Sequence, residues 1–390
     1  MSETRIFDNT EIAFKLKSDS ELERAYFLFK MISHEPLVRI GTAATNFALK
    51  ASLPIEGLIR STVFDHFCGG VNEGDCLQVI DSMFNEGVSS VLDYSVEGKE
   101  NEAQFDIAVN KTLEIIEFAS NKESMPIAVF KPTGFGRLDL YEKKGSGITL
   151  TADEQDEWHK IIERYHKVCK LAKEKDIEVL IDAEESWMQD AADALVEEMM
   201  KIYNTDKPIV FNTIQAYRWD RFDYLKGLHK RSKKEGYTIG MKIVRGAYME
   251  KERLRAQEKN YISPICKDKK ASDDNFNNVL TYILNNLNNI SLFVGTHNEE
   301  SSYLAMEIME KLKIAKKDNR VWFGQLYGMS DHISFNSANA GYNVAKYVPF
   351  GPVKDVMPYL IRRAEENTSV SGQTNRELNL LKQEKKRRKL

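Results

Sequence analysis

From residue 88 onward the chain alternates between two textures, eight times over. Short β-branched runs come first: "VSSVLDYSV" (88–96), "IAVFKPTG" (127–134), "EVLIDAEES" (178–186), "IVFNTIQAY" (209–217), "MKIVRGAY" (241–248), "SLFVGTHN" (291–298), "VWFGQLYG" (321–328) and "AKYVPFG" (345–351). Between them lie amphipathic stretches with apolar residues at three- and four-residue intervals. Each run opens apolar, as a strand buried on both faces does, and closes on polar, aromatic or glycine residues. The connections are long enough for crossover helices. One of them, "TADEQDEWHKIIERYHKVCKLAKEKD", opens on a Thr/Asp cap and ends in lysines. Eight β–α repeats predict an α/β fold of the TIM-like (β/α)8 barrel class. No GxGxxG follows the first run, which argues against a doubly wound nucleotide-binding sheet.

Ahead of the repeats, residues 9 to about 60 read as helical, with Pro36 separating two helices, and 61–86 read as a further helical segment ending at Gly87. The expected organisation is an N-terminal helical arm (1–86), the barrel (87–370) and a basic C-terminal tail (371–390). Two segments leave the pattern. Residues 249–275 read as a long loop after the fifth strand, the kind of insertion that serves as a lid. The tail carries five consecutive cations, Lys385–Lys389. It reads as a solvated, disordered terminus, with docking on an anionic membrane surface as the alternative.

The stretch 345–367, "AKYVPFGPVKDVMPYLIRRAEEN", reads as a strand ending near Tyr347, a Pro-Gly-Pro turn, and a helix with Pro352 in its first turn. Arg362 and Arg363 then project about 100° apart, and Glu366 is placed to pair with Arg363. An aromatic strand end beside two cations suits a small carboxylate; the plain alternative is a solvated helix.

Composition adds exclusions. A formal net charge of −4 removes global attraction to nucleic acid. Cys68, Cys76, Cys169 and Cys266 form no CxxC and no zinc spacing, so reduced thiols are expected. No run reaches membrane-spanning length. The N-terminus has neither an apolar signal core nor an Arg-rich transit pattern.

Catalytic groups of this fold sit at the C-terminal ends of the strands. Those ends supply Asp93 and Tyr94; Lys131; Asp182, Glu184 and Glu185; Gln215 and Tyr217; Arg245 and Tyr248; Thr296, His297 and Asn298; Gln325 and Tyr327; and Tyr347. Each has a plain reading too. Lys131 is a surface lysine, a Schiff-base nucleophile or a carboxylate anchor. The "DAEE" carboxylates bind a divalent metal or position cations. His297 is a ligand or a hydrogen-bonding group. Gly246 admits a ligand or turns the chain. A metal- or Schiff-base-dependent lyase therefore stays open on the residues alone.

Together the blocks are specific. "MKIVRGAYMEKERLRAQ", "THN", "GQLYGM" and "YVPFGPVKDVMPYLIRRAEEN", with "VFKPTG", "LIDAEES" and "NTIQAYRWD", resemble the signature blocks of proline dehydrogenase from about residue 60 to about 370. The resemblance implies an FAD-dependent barrel that oxidises L-proline to pyrroline-5-carboxylate by hydride transfer to flavin N5, with electrons passed to a membrane quinone. This is the first step of proline catabolism to glutamate. It implies that Lys131, Arg362 and Arg363 hold the proline carboxylate, that Tyr347 packs on the pyrrolidine and that Leu326 lines the apolar side. Asp182 matches the family's catalytic aspartate, and Lys242 and Tyr347 join it as catalytic candidates. Gln215, Lys242, Val244, Arg245, Gly246, Ala247, Tyr248, Thr296, His297, Asn298, Gln325 and Glu366 are the expected FAD contacts. Several family members carry Arg where this chain has Lys242. A tyrosine at 347 implies proline over hydroxyproline. No DNA-binding or aldehyde dehydrogenase block is present, so the chain resembles the stand-alone enzyme, with pyrroline-5-carboxylate dehydrogenase as a separate pathway partner. The expected location is the cytoplasmic face of a bacterial inner membrane, or the mitochondrial matrix in a eukaryote.

Overall fold

Eight short parallel strands carry the molecule, and nearly every strand residue is buried. The computed structural model describes residues 5–34, 36, 38, 41–43, 56–95, 101–369 and 371–390. The longer elements run α1 (Asp19–Ile32), α2 (Glu73–Phe84), β1 (Val88–Tyr94), α3 (Glu102–Ala119), β2 (Ile127–Phe130), α4 (Leu138–Gly145), α5 (Ala152–Lys175), β3 (Glu178–Ile181), α6 (Ser186–Tyr203), β4 (Val210–Gln215), α7 (Arg221–Glu235), β5 (Ile239–Val244), α8 (Met249–Lys259), α9 (Lys269–Leu284), β6 (Ile290–Gly295), α10 (Glu299–Lys311), β7 (Val321–Leu326), α11 (Asp331–Asn339), β8 (Val344–Phe350), α12 (Met357–Ser369) and α13 (Ser371–Arg388). The strand order is β1-β8-β7-β6-β5-β4-β3-β2, the order of a (β/α)8 barrel with β1 and β2 at its two ends. All eight expected strands form.

The caps follow the local chemistry. Ser18 and Glu21 make a reciprocal capping box at α1, and Thr151 and Glu154 make another at α5. The reading of 37–60 as helical falls largely on residues outside the described set; α1 ends at Ile32, ahead of Pro36.

Contacts divide the chain into two compact units. One comprises Met1–Glu97, His297–Glu299 and Gly324–Leu390; the other comprises Gly98–Thr296 and Glu300–Phe323. In the first, β1 and β8 pair from Val88↔Val344 to Tyr94↔Phe350. Arm residues Ile32, Ile59, Phe64 and Phe67 share a core with Val356, Met357, Tyr359 and Leu360. The arm thus seats α12. In the second unit, β2 to β6 pair in sequence order.

Three expectations need correction. Residues 249–275 are not a long loop: α8 and α9 occupy most of them, and 260–268 connect the two. In α8 only Glu252 and Ala256 are buried, so this charged helix has almost no apolar stripe for periodicity to detect. The tail is not disordered. It forms α13, and Leu380 and Leu381 are buried against Phe14, Leu22, Ala25 and Phe29. Its cations meet acids, with Lys385 on Glu23 at 2.7 Å, Arg387 on Glu384 at 2.9 Å and Arg388 on Glu384 at 2.8 Å. Lys386 and Lys389 are exposed. Finally, Tyr347 lies within β8, which runs on to Phe350, and Pro352 opens a turn before α12, its carbonyl accepting from Asp355 and Val356 N–H. No helix among the described residues is long and apolar enough to cross a membrane.

If α13 is packed in this way, Leu380→Ala leaves a cavity in a closed core. Urea unfolding should show a loss of about 2–5 kcal/mol, whereas a disordered tail would give no change.

Candidate active site

Within the second unit, the C-terminal ends of β3 and β5 present opposite charges. Lys242 leaves β5 6% exposed and pairs with Asp182, 17% exposed, which follows β3 directly. Two ionic groups this far from water hold each other's charge in place, and removing either leaves the other uncompensated. The Asp182 N–H donates to Phe130 O at 3.0 Å, so main chain as well as charge fixes this carboxylate.

The neighbouring acids are engaged elsewhere. Glu184 accepts from Thr133 N at 2.8 Å and from Thr133 Oγ1 at 2.6 Å. Glu185 pairs with Lys251 of α8. The "DAEE" cluster thus disperses to three separate partners. Among the described residues, no group of three or more His, Cys, Asp or Glu side chains is arranged to hold a metal. Lys131 is half-buried directly after β2, near enough to Glu184 for its charge to favour that carboxylate.

Further along, Gln215 is buried at the end of β4. Its Nε2 donates to Glu184 O at 2.8 Å, while Oε1 is buried without a hydrogen-bond partner among the described residues. Arg245 sits over the Phe276 ring at 4.5 Å and donates to Asp273 (2.7 Å), Thr296 (2.9 Å) and Ser301 (3.1 Å). It therefore splints the ends of β5 and β6 to α9. Gly246 has φ +132, and a Cβ there would lie 2.4 Å from the Tyr217 ring; glycine is required because the chain turns against that ring. Val244 and Arg245 carbonyls accept from Ala216 and Tyr217 N–H, which laces the segment leading to Ala247 and Tyr248 onto the end of β4.

In the first unit, His297 Nδ1 meets Ser330 Oγ at 2.9 Å. Burial, with the cations of Lys346 and Arg363 and nearby His332, lowers its pKa to about 3, so the ring is neutral at physiological pH. It is a hydrogen-bonding group, as the residues alone allowed. Gln325 accepts from Ser334 Oγ at 2.8 Å. Asn298 is half-buried beside His297. Tyr347 is 7% exposed within β8, and Leu326 packs on the core shared by the arm and α12. On α12, Arg363 is 9% exposed with its guanidinium 5.1 Å over the Tyr359 ring, and adjacent Arg362 is half-buried. The side chain of Glu366 lies outside the described residues.

Sequence reasoning missed three supports in this unit. His66 of the arm meets Gly328 O at 2.9 Å through Nε2. Gly328 has φ +76, and a Cβ there would strike His66 O at 2.1 Å. Fully buried Lys346 donates to Met329 O at 2.7 Å and Leu326 O at 3.1 Å, and pairs with Asp331 at 2.8 Å; Lys17 reaches the same carboxylate at 3.1 Å. Burial would raise Asp331, but these two cations hold it well below the usual carboxylate range. Glu377 of α13 accepts from Ser330 N at 3.2 Å. A lysine inside the apolar run "NVAKYV" was the available signal.

Burial pushes the Glu184 carboxyl up from 4.5 to about 7, against its hydrogen bonds from Thr133. The folded chain then keeps a proton that the unfolded chain gives up, so this group's contribution to stability falls as pH rises from about 4.5 through 7. Glu184→Gln should flatten that slope, by on the order of 1–3 kcal/mol in urea unfolding compared across this window. An unchanged slope would mean that Glu184 ionises normally.

Comparison with known proteins identifies the family. The family model described as proline dehydrogenase matches residues 76–376. The chain is 34% identical over 344 residues to the carbapenem antibiotics biosynthesis protein CarD of Pectobacterium carotovorum subsp. carotovorum, covering 88% of this chain and 89% of that protein. It is 30% identical over 433 aligned residues to the mitochondrial proline dehydrogenase 2 of Arabidopsis thaliana, covering 99% and 90% respectively. The crystal structure of proline utilization A from Bdellovibrio bacteriovorus shares the fold with a TM-score of 0.70 at 21% identity, over 94% of this chain and 37% of that one. With a family match this long and relatives this similar across nearly their whole length, the chain belongs to the proline dehydrogenase family of enzymes.

Proposed function

We propose that the chain oxidises L-proline to pyrroline-5-carboxylate, with FAD as resident cofactor and a membrane quinone as final electron acceptor. The observation that carries this reading is the buried Lys242–Asp182 pair within a chain of this family. A cation fixed at the ends of strands stabilises negative charge gained by a redox cofactor. Bound FAD supplies the two-electron acceptor. Its isoalloxazine brings an imide N–H donor, and the orphaned Gln215 Oε1 is an acceptor suited to it. Lys242, Gln215, Arg245–Tyr248, Thr296–Asn298 and Gln325 are the residues that would hold it.

On the substrate side, Lys131, Arg362 and Arg363 take the carboxylate in charge-assisted hydrogen bonds. Tyr347 and Leu326 cover the apolar ring and exclude water. Asp182 holds Lys242 in place. Forming the C=N bond needs the nitrogen lone pair, so proline must lose its ammonium proton before its C–H electrons depart. A pocket crowded with cations favours that loss. The relative named for carbapenem biosynthesis suggests that this family's chemistry serves more than one pathway.

The absorption spectrum of protein made with ample riboflavin tests the reading. A flavin spectrum that bleaches on anaerobic addition of L-proline is expected; a protein that stays colourless overturns it. Arg362→Met should raise KM for proline roughly 10- to 100-fold, from the loss of a charged partner worth ~1.5–3 kcal/mol, with a smaller change in kcat. With Tyr347 in place, kcat/KM should favour proline over trans-4-hydroxyproline, and the reverse order would remove Tyr347 from the pocket wall.

A further inference from the structure

A cavity of about 220 Å³ opens at the opposite ends of the strands, its walls including Pro126, Glu178, Lys207, Pro208, Arg320 and Trp322. These residues precede or begin β2, β3, β4 and β7, and Ser291 adds β6. Glu178 opens β3, about 13 Å of strand away from Asp182, so the cavity belongs to neither the substrate set nor the FAD set.

The cavity wall holds one unmet acceptor. Glu178 Oε2 is buried without a hydrogen-bond partner among the described residues. The nearby cations are committed: Lys207 pairs with Asp176 at 2.5 Å, and Arg320 holds Asp318 with contacts of 2.9 and 2.6 Å. Those two pairs cancel, and Glu178 remains as the surplus negative charge when ionised. Burial pushes its pKa up to about 8, with Lys207 lowering it and Asp176 raising it. An unmet buried acceptor is costly, and a cationic donor meets that demand better than a neutral one. Trp322 offers an aromatic face suited to a cation, and the two prolines offer hydrocarbon. The volume limits the occupant to a small molecule.

We propose that this cavity binds a small organic cation, a primary ammonium compound, whose N–H groups donate to Glu178. Isothermal titration of the full-length protein with n-butylammonium chloride tests it, with n-butanol and sodium chloride as controls. Saturable binding of butylammonium alone is expected. At pH 7 it should release a proton, read as a dependence of the heat on buffer ionisation enthalpy. Glu178→Gln keeps the size of the protonated acid and so the fold; it should weaken binding roughly tenfold or more and abolish the proton release. No saturable heat, equal affinity in Glu178→Gln, or equal binding of butanol would each overturn the proposal.

Discussion

A charged side chain taken out of water must bring its counter-charge with it, and Lys242 does so with Asp182. The two sit on β5 and after β3, with β4 between them in the sheet. Their pairing therefore reaches across a strand, and it is only satisfied when β3, β4 and β5 are in register. The ladder supplies that register, with Leu180 opposite Phe211 and Thr213 opposite Lys242. Thr213 also donates its hydroxyl to Ile181 O at 2.7 Å, tying β4 to β3 just below the pair. Backbone pairing thus sets the geometry of the ions, and the ions in turn penalise any slip of the strands. Apolar residues could fill the same space without this penalty. Placing ions there costs desolvation and gains a fixed cation, which is what a reaction that moves negative charge requires.

The other unit solves a similar problem with different parts. Lys346 and Tyr347 are adjacent in β8, so their side chains leave opposite faces of the sheet. One face carries the candidate substrate contact. The other carries a fully buried lysine that gathers Leu326 O, Met329 O and Asp331. The arm closes this arrangement from outside, through Lys17 on Asp331 and His66 on Gly328. The loop after β7, which follows Leu326 at the strand's end, is thereby held from two sides. This gives the arm a function that a merely helical pattern does not announce: it braces the segment that bears candidate site residues.

Much of the fold was legible because strands buried on both faces write themselves as apolar runs with polar ends. The eight strands and most of the candidate residues follow from that single rule. What escaped has one physical source. Elements stabilised by charge pairs instead of apolar stripes leave no periodic signature. Helix α8 buries only Glu252 and Ala256 along one strip, and Glu252 earns its place by accepting from Ser186 N at 2.6 Å and Ser186 Oγ at 2.5 Å. Helix α13 hides two leucines among cations whose acidic partners lie more than 350 residues away or one turn back. Pro352 misled for a different reason: a proline suits a turn as well as a first helical residue, and Gly351 at φ +144 belongs to the turn.

The two arginines of α12 show how packing divides a repeated residue into separate roles. They are about 100° apart on the helix, so a single surface cannot receive both in the same way. Arg363 is nearly buried and stacked on Tyr359, itself part of the core that the arm shares with α12. Its position is inherited from that core. Arg362 is half-buried and sits on the next face. In a carboxylate clamp built from such a pair, the stacked arginine sets the orientation and contributes at small entropic cost. Changes to the arm core would then reach such a clamp through Arg363.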